Sequence, residues 1–231
     1  MKKIKVKLFG SESWSTDAVR LLSKDILAAK NERGKCNLIL TGGRSAKILY
    51  ENWSSMKELS CLKNANIFFS DERCIPKDHP ESNYGMLVKS LFPSGIIDGC
   101  NVVPMEFEDN QSSMRSYEKK LPESFDIALF SIGNDGHFAS IFPGGDALCC
   151  AKNAIAKTLS PNFPHQRMTI TPLLLGRIKK IYIMAIGESK INILRRALEQ
   201  PSLVGELPAR MLLRHNWLIA SSNDDNGALS G

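Results

Sequence analysis

The chain has no apolar stretch approaching the ~20 residues that a membrane helix needs, and this excludes a helical span. Behind its lysine-bearing start there is no apolar segment of roughly 7–15 residues, so no secretory signal is expected. Its six cysteines, at positions 36, 61, 74, 100, 149 and 150, contain no CxxC spacing, and reduced thiols in a cytoplasmic protein are the expectation. Cys149 and Cys150 are adjacent, but no His or acidic ligand at motif spacing makes them a metal centre. There is no block of five or more like charges, no internal repeat and no low-complexity linker. What is present is ordinary: 231 residues, 43% of them hydrophobic, enough to bury one substantial core and to rule out a disordered chain. A single domain over residues 1–231 is expected. The net charge of +6 requires no nucleic-acid partner, but it favours small anions near any cleft lined with Lys and Arg.

Short apolar runs alternate with helical patterns. Runs at 4–9, 36–40, 66–69, 101–105, 125–132, 181–186 and 217–220 read as strands, several of them continuous and β-branched, as in strands buried on both faces. In the first, Lys3, Lys5 and Lys7 interleave with Ile4, Val6 and Leu8, which predicts an edge strand with one wet face. Thr16 is placed to cap a helix with Val19, Leu22, Ile26 and Ala29 on one stripe and Gly34 as its stop. Ser189 precedes a second helix, with Ile191, Leu194 and Leu198 on one face, ending before Pro201. Strand–helix alternation predicts an α/β fold around a mostly parallel, Rossmann-like sheet.

Polar clusters follow four of the strands at once: Thr41-Gly42-Gly43-Arg44-Ser45, Ser70-Asp71-Glu72-Arg73, Gly133-Asn134-Asp135-Gly136-His137 and Gly187-Glu188-Ser189-Lys190. Ligands of open parallel sheets bind beyond the carboxyl ends of the strands, so these four are expected to converge on one site. The first runs into a helical pattern (Ala46, Leu49, Tyr50, Trp53), which presents backbone N–H groups to an anion at residues 42–45. A plain turn with an N-cap is the competing reading. The GxxxxGK[ST] spacing of a nucleotide loop is absent. Lys190 also opens a helix, where it can meet a phosphate or simply face water. His137 carries the most chemistry, because imidazole moves protons near neutral pH. Asp135 is positioned to orient that ring, to touch substrate, or to close an Asx turn. Asp71, Glu72 and Arg73 are consecutive and cannot all face one way; an ion pair is expected for Glu72, and recognition of a carboxylate or oxyanion for Arg73. His79, His165 and His215 are expected to be surface or loop residues.

The run from Phe125 to Gly144, with its Asp135-Gly136-His137-Phe138-Ala139-Ser140-Ile141-Phe142-Pro143 core, resembles the signature of 6-phosphogluconolactonases. The order of the other elements is similar too: Gly42 to Ser45, Asp71-Glu72-Arg73 with Ser82-Asn83-Tyr84, Arg167-Met168-Thr169, Gly187 to Lys190 and Trp217. The resemblance implies a three-layer α/β/α sandwich and hydrolysis of 6-phosphoglucono-1,5-lactone in the oxidative pentose phosphate pathway, with no metal or organic cofactor. It implies His137 as the general base, Asp71 and Arg73 near the reacting end, and Gly42, Gly43, Ser45, Arg167 and Lys190 around the 6-phosphate; Asp135 joins the catalytic candidates through its place beside His137 in the sequence. Arg44 ranks below Arg167 and Lys190 as a phosphate contact. Departures from the family pattern are Ser131 in place of a common glycine, Arg44 in place of a small hydroxyl residue, and Ala46 in place of proline. The expected partner is a small sugar phosphate, with neither nucleic acid nor membrane; monomer and dimer both remain open.

Two rivals share the fold. A glucosamine-6-phosphate deaminase-like isomerase would carry an acid soon after the Asp-Gly-His turn, and residues 138–144 have none. A non-catalytic sugar-phosphate sensor would bring a DNA-binding helix pair, for which the early first strand is expected to leave no room.

Overall fold

The structure, a computed structural model, describes residues 5–107, 112–199 and 203–220. Seven parallel strands form the central sheet: β1 (Lys5–Leu8), β2 (Cys36–Leu40), β3 (Ala65–Phe69), β5 (Asn101–Val102), β6 (Phe125–Ser131), β9 (Ile178–Ile186) and β10 (Asn216–Ala220), in the order β1-β10-β9-β6-β2-β3-β5. Every residue of β6 except Ser131 is buried, as are the last six of β9, so the middle of the sheet is covered on both faces. The α/β/α arrangement with a parallel sheet is therefore as expected. No described helix is long and apolar enough to cross a membrane.

The helices are α1 (Trp14–Arg33), α2 (Arg44–Ser55), α3 (Asn83–Leu91), α4 (Ser112–Lys120), α5 (Pro172–Leu175) and α6 (Glu188–Glu199). Helix α1 buries Val19, Leu22 and Ile26 and stops at Gly34, whose left-handed φ of 73° lets its N–H reach the Lys30 carbonyl. Its start corrects the Thr16 expectation: the cap position is Ser13, buried Trp14 opens the helix, and the Thr16 hydroxyl instead accepts a bond from Asn52 of α2 at 3.0 Å. Likewise, Ser189 lies inside the first turn of α6, not before it. The predicted end at Pro201, and Lys3 and Ile4 of the first strand, lie outside the described residues. Strand β1 is at the edge as expected, but all four of its residues are exposed, not one face only.

A second, antiparallel sheet was not legible as strands: β4 (Asp71–Arg73), β8 (Gln166–Ile170) and β7 (Ile155–Leu159), in the order β4-β8-β7. Ser70 alone separates β3 from β4, so residues 71–73, expected as a loop, are the edge of this small sheet. It stands at the carboxyl ends of the main strands, where Ser70 N–H bonds the Leu40 carbonyl and Ile170 N–H bonds the Ser70 carbonyl.

Candidate active site

The chain runs from β2 rightwards to β3 and β5, then returns to place β6 on the other side of β2. This reversal opens a crevice at the carboxyl ends of β2 and β6, the usual ligand site of such sheets. A cleft of about 370 Å³ lies there. Its walls include Gly42, Gly43 and Arg44 after β2, Asp71 and Arg73 from β4, Ser131, Gly133 and His137 after β6, Arg167 from β8, and Lys190 from α6. The four loops singled out from sequence do meet.

One wall is the turn after β6. Gly136 takes a φ of 84°, closed to most side chains, and its N–H bonds the Gly133 carbonyl at 3.0 Å. The turn brings Asp135 Oδ1 to 2.5 Å from His137 Nδ1 and 3.1 Å from the His137 backbone N–H. A carboxylate only accepts, so Nδ1 carries a proton, and in the neutral form of the ring Nε2 keeps its lone pair. Burial raises the Asp135 pKa, but the hydrogen bond and charge of His137 outweigh it and hold the carboxyl below its ordinary range. On its far side the imidazole packs against Phe142, ring centres 4.7 Å apart. Gly133 lies beneath it, where any Cβ would overlap the ring.

Asp71 faces the cleft but is heavily engaged. Its carboxylate accepts from Ser70 Oγ at 3.0 Å and Ser140 Oγ at 2.6 Å, and its carbonyl accepts from Asn83 Nδ2 at 2.9 Å. That Asn83 side chain lies across Gly42, which a Cβ would displace. Glu72 points away. In place of the expected ion pair, its carboxylate accepts from the Asn83 and Tyr84 backbone N–H groups, both at 2.8 Å, and from Ser82 Oγ at 3.1 Å, so it caps α3. Burial nevertheless raises its pKa. Arg73 binds the Glu81 carbonyl and carboxylate through Nη1 and leaves its Nε buried without a partner.

The opposite corner is cationic. Helix α2 has Gly43 at its cap position, no side-chain cap and no acid in its first turn, so its leading N–H groups face the cleft. Lys190 Nζ donates to Ser45 Oγ and Ser131 Oγ, each at 3.1 Å. Burial, then the charge of Arg44, pulls Lys190 below the ordinary lysine range. Arg167 is 6% exposed, lies in register with Arg73 and has an unpartnered Nε. Its pKa is lowered by burial and by Arg73, against Asp71, Glu72 and Glu81. Among the described residues no carboxylate forms an ion pair with Lys190, Arg44 or Arg167, and no group of three or more His, Cys, Asp or Glu is arranged to hold a metal. A half-buried ammonium with only hydroxyl partners is an open invitation to an anion.

Residues 10–220 match the family model described as glucosamine-6-phosphate isomerases/6-phosphogluconolactonase. The chain belongs to this family. It is 30% identical over 219 residues to 6-phosphogluconolactonase 4 of Saccharomyces cerevisiae, covering 84% of each chain. It is 29% identical over 198 residues to the GDH/6PGL endoplasmic bifunctional protein of Homo sapiens, 78% of this chain but 25% of that one, so it spans about a quarter of that relative's length. Its fold superposes on the crystal structure of 6-phosphogluconolactonase from Thermotoga maritima with a TM-score of 0.81 at 25% identity, covering 95% of this chain and 100% of that one.

Of the residues expected at the site, His137, Asp71, Arg73, Gly42, Gly43, Arg44, Arg167 and Lys190 all line the cleft. Asp135 and Ser45 stand one step back, against the imidazole and the ammonium. Residue chemistry alone did not single out Ser140, Asn83, Asn162 and Phe163 as cleft residues. Ser140 lies 69 positions from Asp71; its backbone N–H bonds Thr169 Oγ1 of β8 at 3.1 Å, and Thr169 is paired with Asp71 across the small sheet.

Proposed function

We propose that the chain hydrolyses 6-phosphoglucono-1,5-lactone to 6-phosphogluconate, the activity for which its relatives are named and, as the resemblance implies, a step of the oxidative pentose phosphate pathway. The observation that carries this reading is the pairing of two features in one cleft: an imidazole oriented by a carboxylate, and a cationic corner that has no ion-paired carboxylate among the described residues. The 6-phosphate is held by the α2 N–H groups, Lys190 and Arg167, with Arg44 at the rim. This remote anchor spends binding energy on setting the lactone carbonyl against the base.

In the reaction, His137 Nε2 takes a proton from water as the water oxygen bonds to C1. The developing oxyanion is stabilised by positive charge at Arg73. Collapse breaks the bond between C1 and the ring oxygen, and the imidazolium returns its proton to that oxygen. The new carboxylic acid then ionises. Asp135 keeps the ring in the productive tautomer throughout. Asp71 works mainly by holding the Ser140 turn, α3 and the end of β3 in place.

We also read residues 1–231 as one catalytic domain acting in the cytoplasm, a view supported by a continuous core and by six cysteines without disulfide partners.

The test compares three substrates. The phosphorylated lactone should open far faster than its spontaneous rate, unphosphorylated glucono-1,5-lactone should react with a much higher KM, and glucosamine 6-phosphate should release no ammonia. Ammonia release without lactone opening would move the chain to the isomerase side of the family.

A further inference from the structure

The hydroxyl of Ser131 has a place in the cleft that the proposed chemistry does not yet use. Ser131 is the last residue of β6, paired in register with Met184 of β9, and the one residue of that strand not fully buried. Its Oγ accepts from Lys190 Nζ at 3.1 Å, while Ser45 Oγ, in the first turn of α2, accepts from the same ammonium at 3.1 Å. One cation thus ties together the ends of β6, α2 and α6 on the two sides of the sheet's reversal point.

The choice of hydroxyl partners has a physical consequence. A carboxylate at either position would hold the lysine more tightly but would cancel the charge an anion needs. A serine oxygen fixes the end of a long, rotamer-rich stem and leaves its full charge directed into the cleft. An ammonium has three N–H donors. Two are taken by the serines, and the third, which has no partner among the described residues, can meet a ligand oxygen. Arg44 adds like charge nearby, so the two serine oxygens are what hold the ammonium beside it.

From this geometry we infer that Ser131 is a positioning residue: acting through Lys190, and together with Ser45, it sets the affinity of the cleft for the phosphoryl group of its substrate. The inference rests on the reading of Lys190 as a phosphate contact. It concerns binding of the remote anion and not the proton transfers at His137.

The test uses Ser131→Ala and Ser131→Thr in the full chain. Loss of one hydrogen bond to the ammonium should raise KM for the phosphorylated lactone by about three- to tenfold, with kcat altered by less than about twofold. The threonine variant keeps the hydroxyl and should bring KM back to within about twofold of wild type. In a Lys190→Met background, Ser131→Ala should add almost nothing, since both act through one group. A phosphorus NMR titration with inorganic phosphate reads the same site without any catalysis, and Ser131→Ala should weaken phosphate binding by the same factor. Should the wild type fail to open the lactone while this titration behaves as stated, the catalytic reading falls and the role of Ser131 stands. An unchanged KM and phosphate affinity in Ser131→Ala, a threonine variant no better than alanine, a loss carried by kcat, or full additivity with Lys190→Met would each overturn the inference.

Discussion

Asp135 Oδ1 and His137 Nδ1 stand 2.5 Å apart across a single intervening glycine, so the acid that fixes the imidazole comes from the same turn as the imidazole itself. The pair is made within one turn, which the Ala209 N–H also holds through the Gly136 carbonyl at 2.9 Å. The β6 strand delivers that turn to the cleft.

Asp135→Asn tests that pair. An amide can donate to Nδ1, which would leave the proton on Nε2 and remove the base. The expected outcome is a fall in kcat of up to about 10²-fold with KM little changed. The pH dependence has a definite sign. A carboxyl held below its ordinary range adds stability above that range and loses it as pH falls through the lowered value. Thermal melts from neutral pH into acid should therefore show the gap between wild type and Asp135→Asn closing.

Gly133→Ala places a methyl group where the His137 ring lies, 2.8 Å from Asp135 Oδ1. The ring must move. Steady-state kinetics should show at least about a tenfold loss of kcat, since general-base catalysis depends on hydrogen-bond geometry, while far-UV circular dichroism remains that of the wild type.

Glu72→Ala addresses architecture. It strips a buried acceptor from the first N–H groups of α3, the helix whose Asn83 braces Asp71 and Gly42. Stability should fall by about 3 kcal/mol, or roughly 6–12 °C in melting temperature.

Lys190→Met should trade function against stability. Removing a partly buried charge that has no acidic partner among the described residues should raise the melting temperature by a few degrees, while KM for the phosphorylated lactone rises by about 10–10²-fold. In the wild type, Lys190 loses its proton below the ordinary lysine range, so KM should climb early on the alkaline side. Arg44→Gln removes one of the two depressing causes and should move that climb to higher pH.

The central strands were legible because burial on both faces leaves apolar runs such as Leu38–Leu40 of β2 and Ile127–Phe130 of β6. The small sheet was not, because Asp71–Arg73 and Gln166–Ile170 carry polar residues at strand positions for the sake of the cleft they line. His137, Lys190 and the Gly42–Gly43 loop were visible as polar breaks after apolar runs. The bracing of Asp71 by Ser140 and Asn83, and of Lys190 by Ser45 and Ser131, depends on pairings across 12 to 145 positions that no local pattern records. The cap of α1 was misplaced because Thr16 has the chemistry of a cap but is used to join α1 to α2.

The most direct measurement is the rate of lactone opening by wild type and His137→Ala at mildly acidic pH, where the spontaneous reaction is slow. The account predicts that the variant loses about 10²–10⁴-fold of the acceleration while still binding inorganic phosphate. A variant that opens the lactone as fast as the wild type would contradict it.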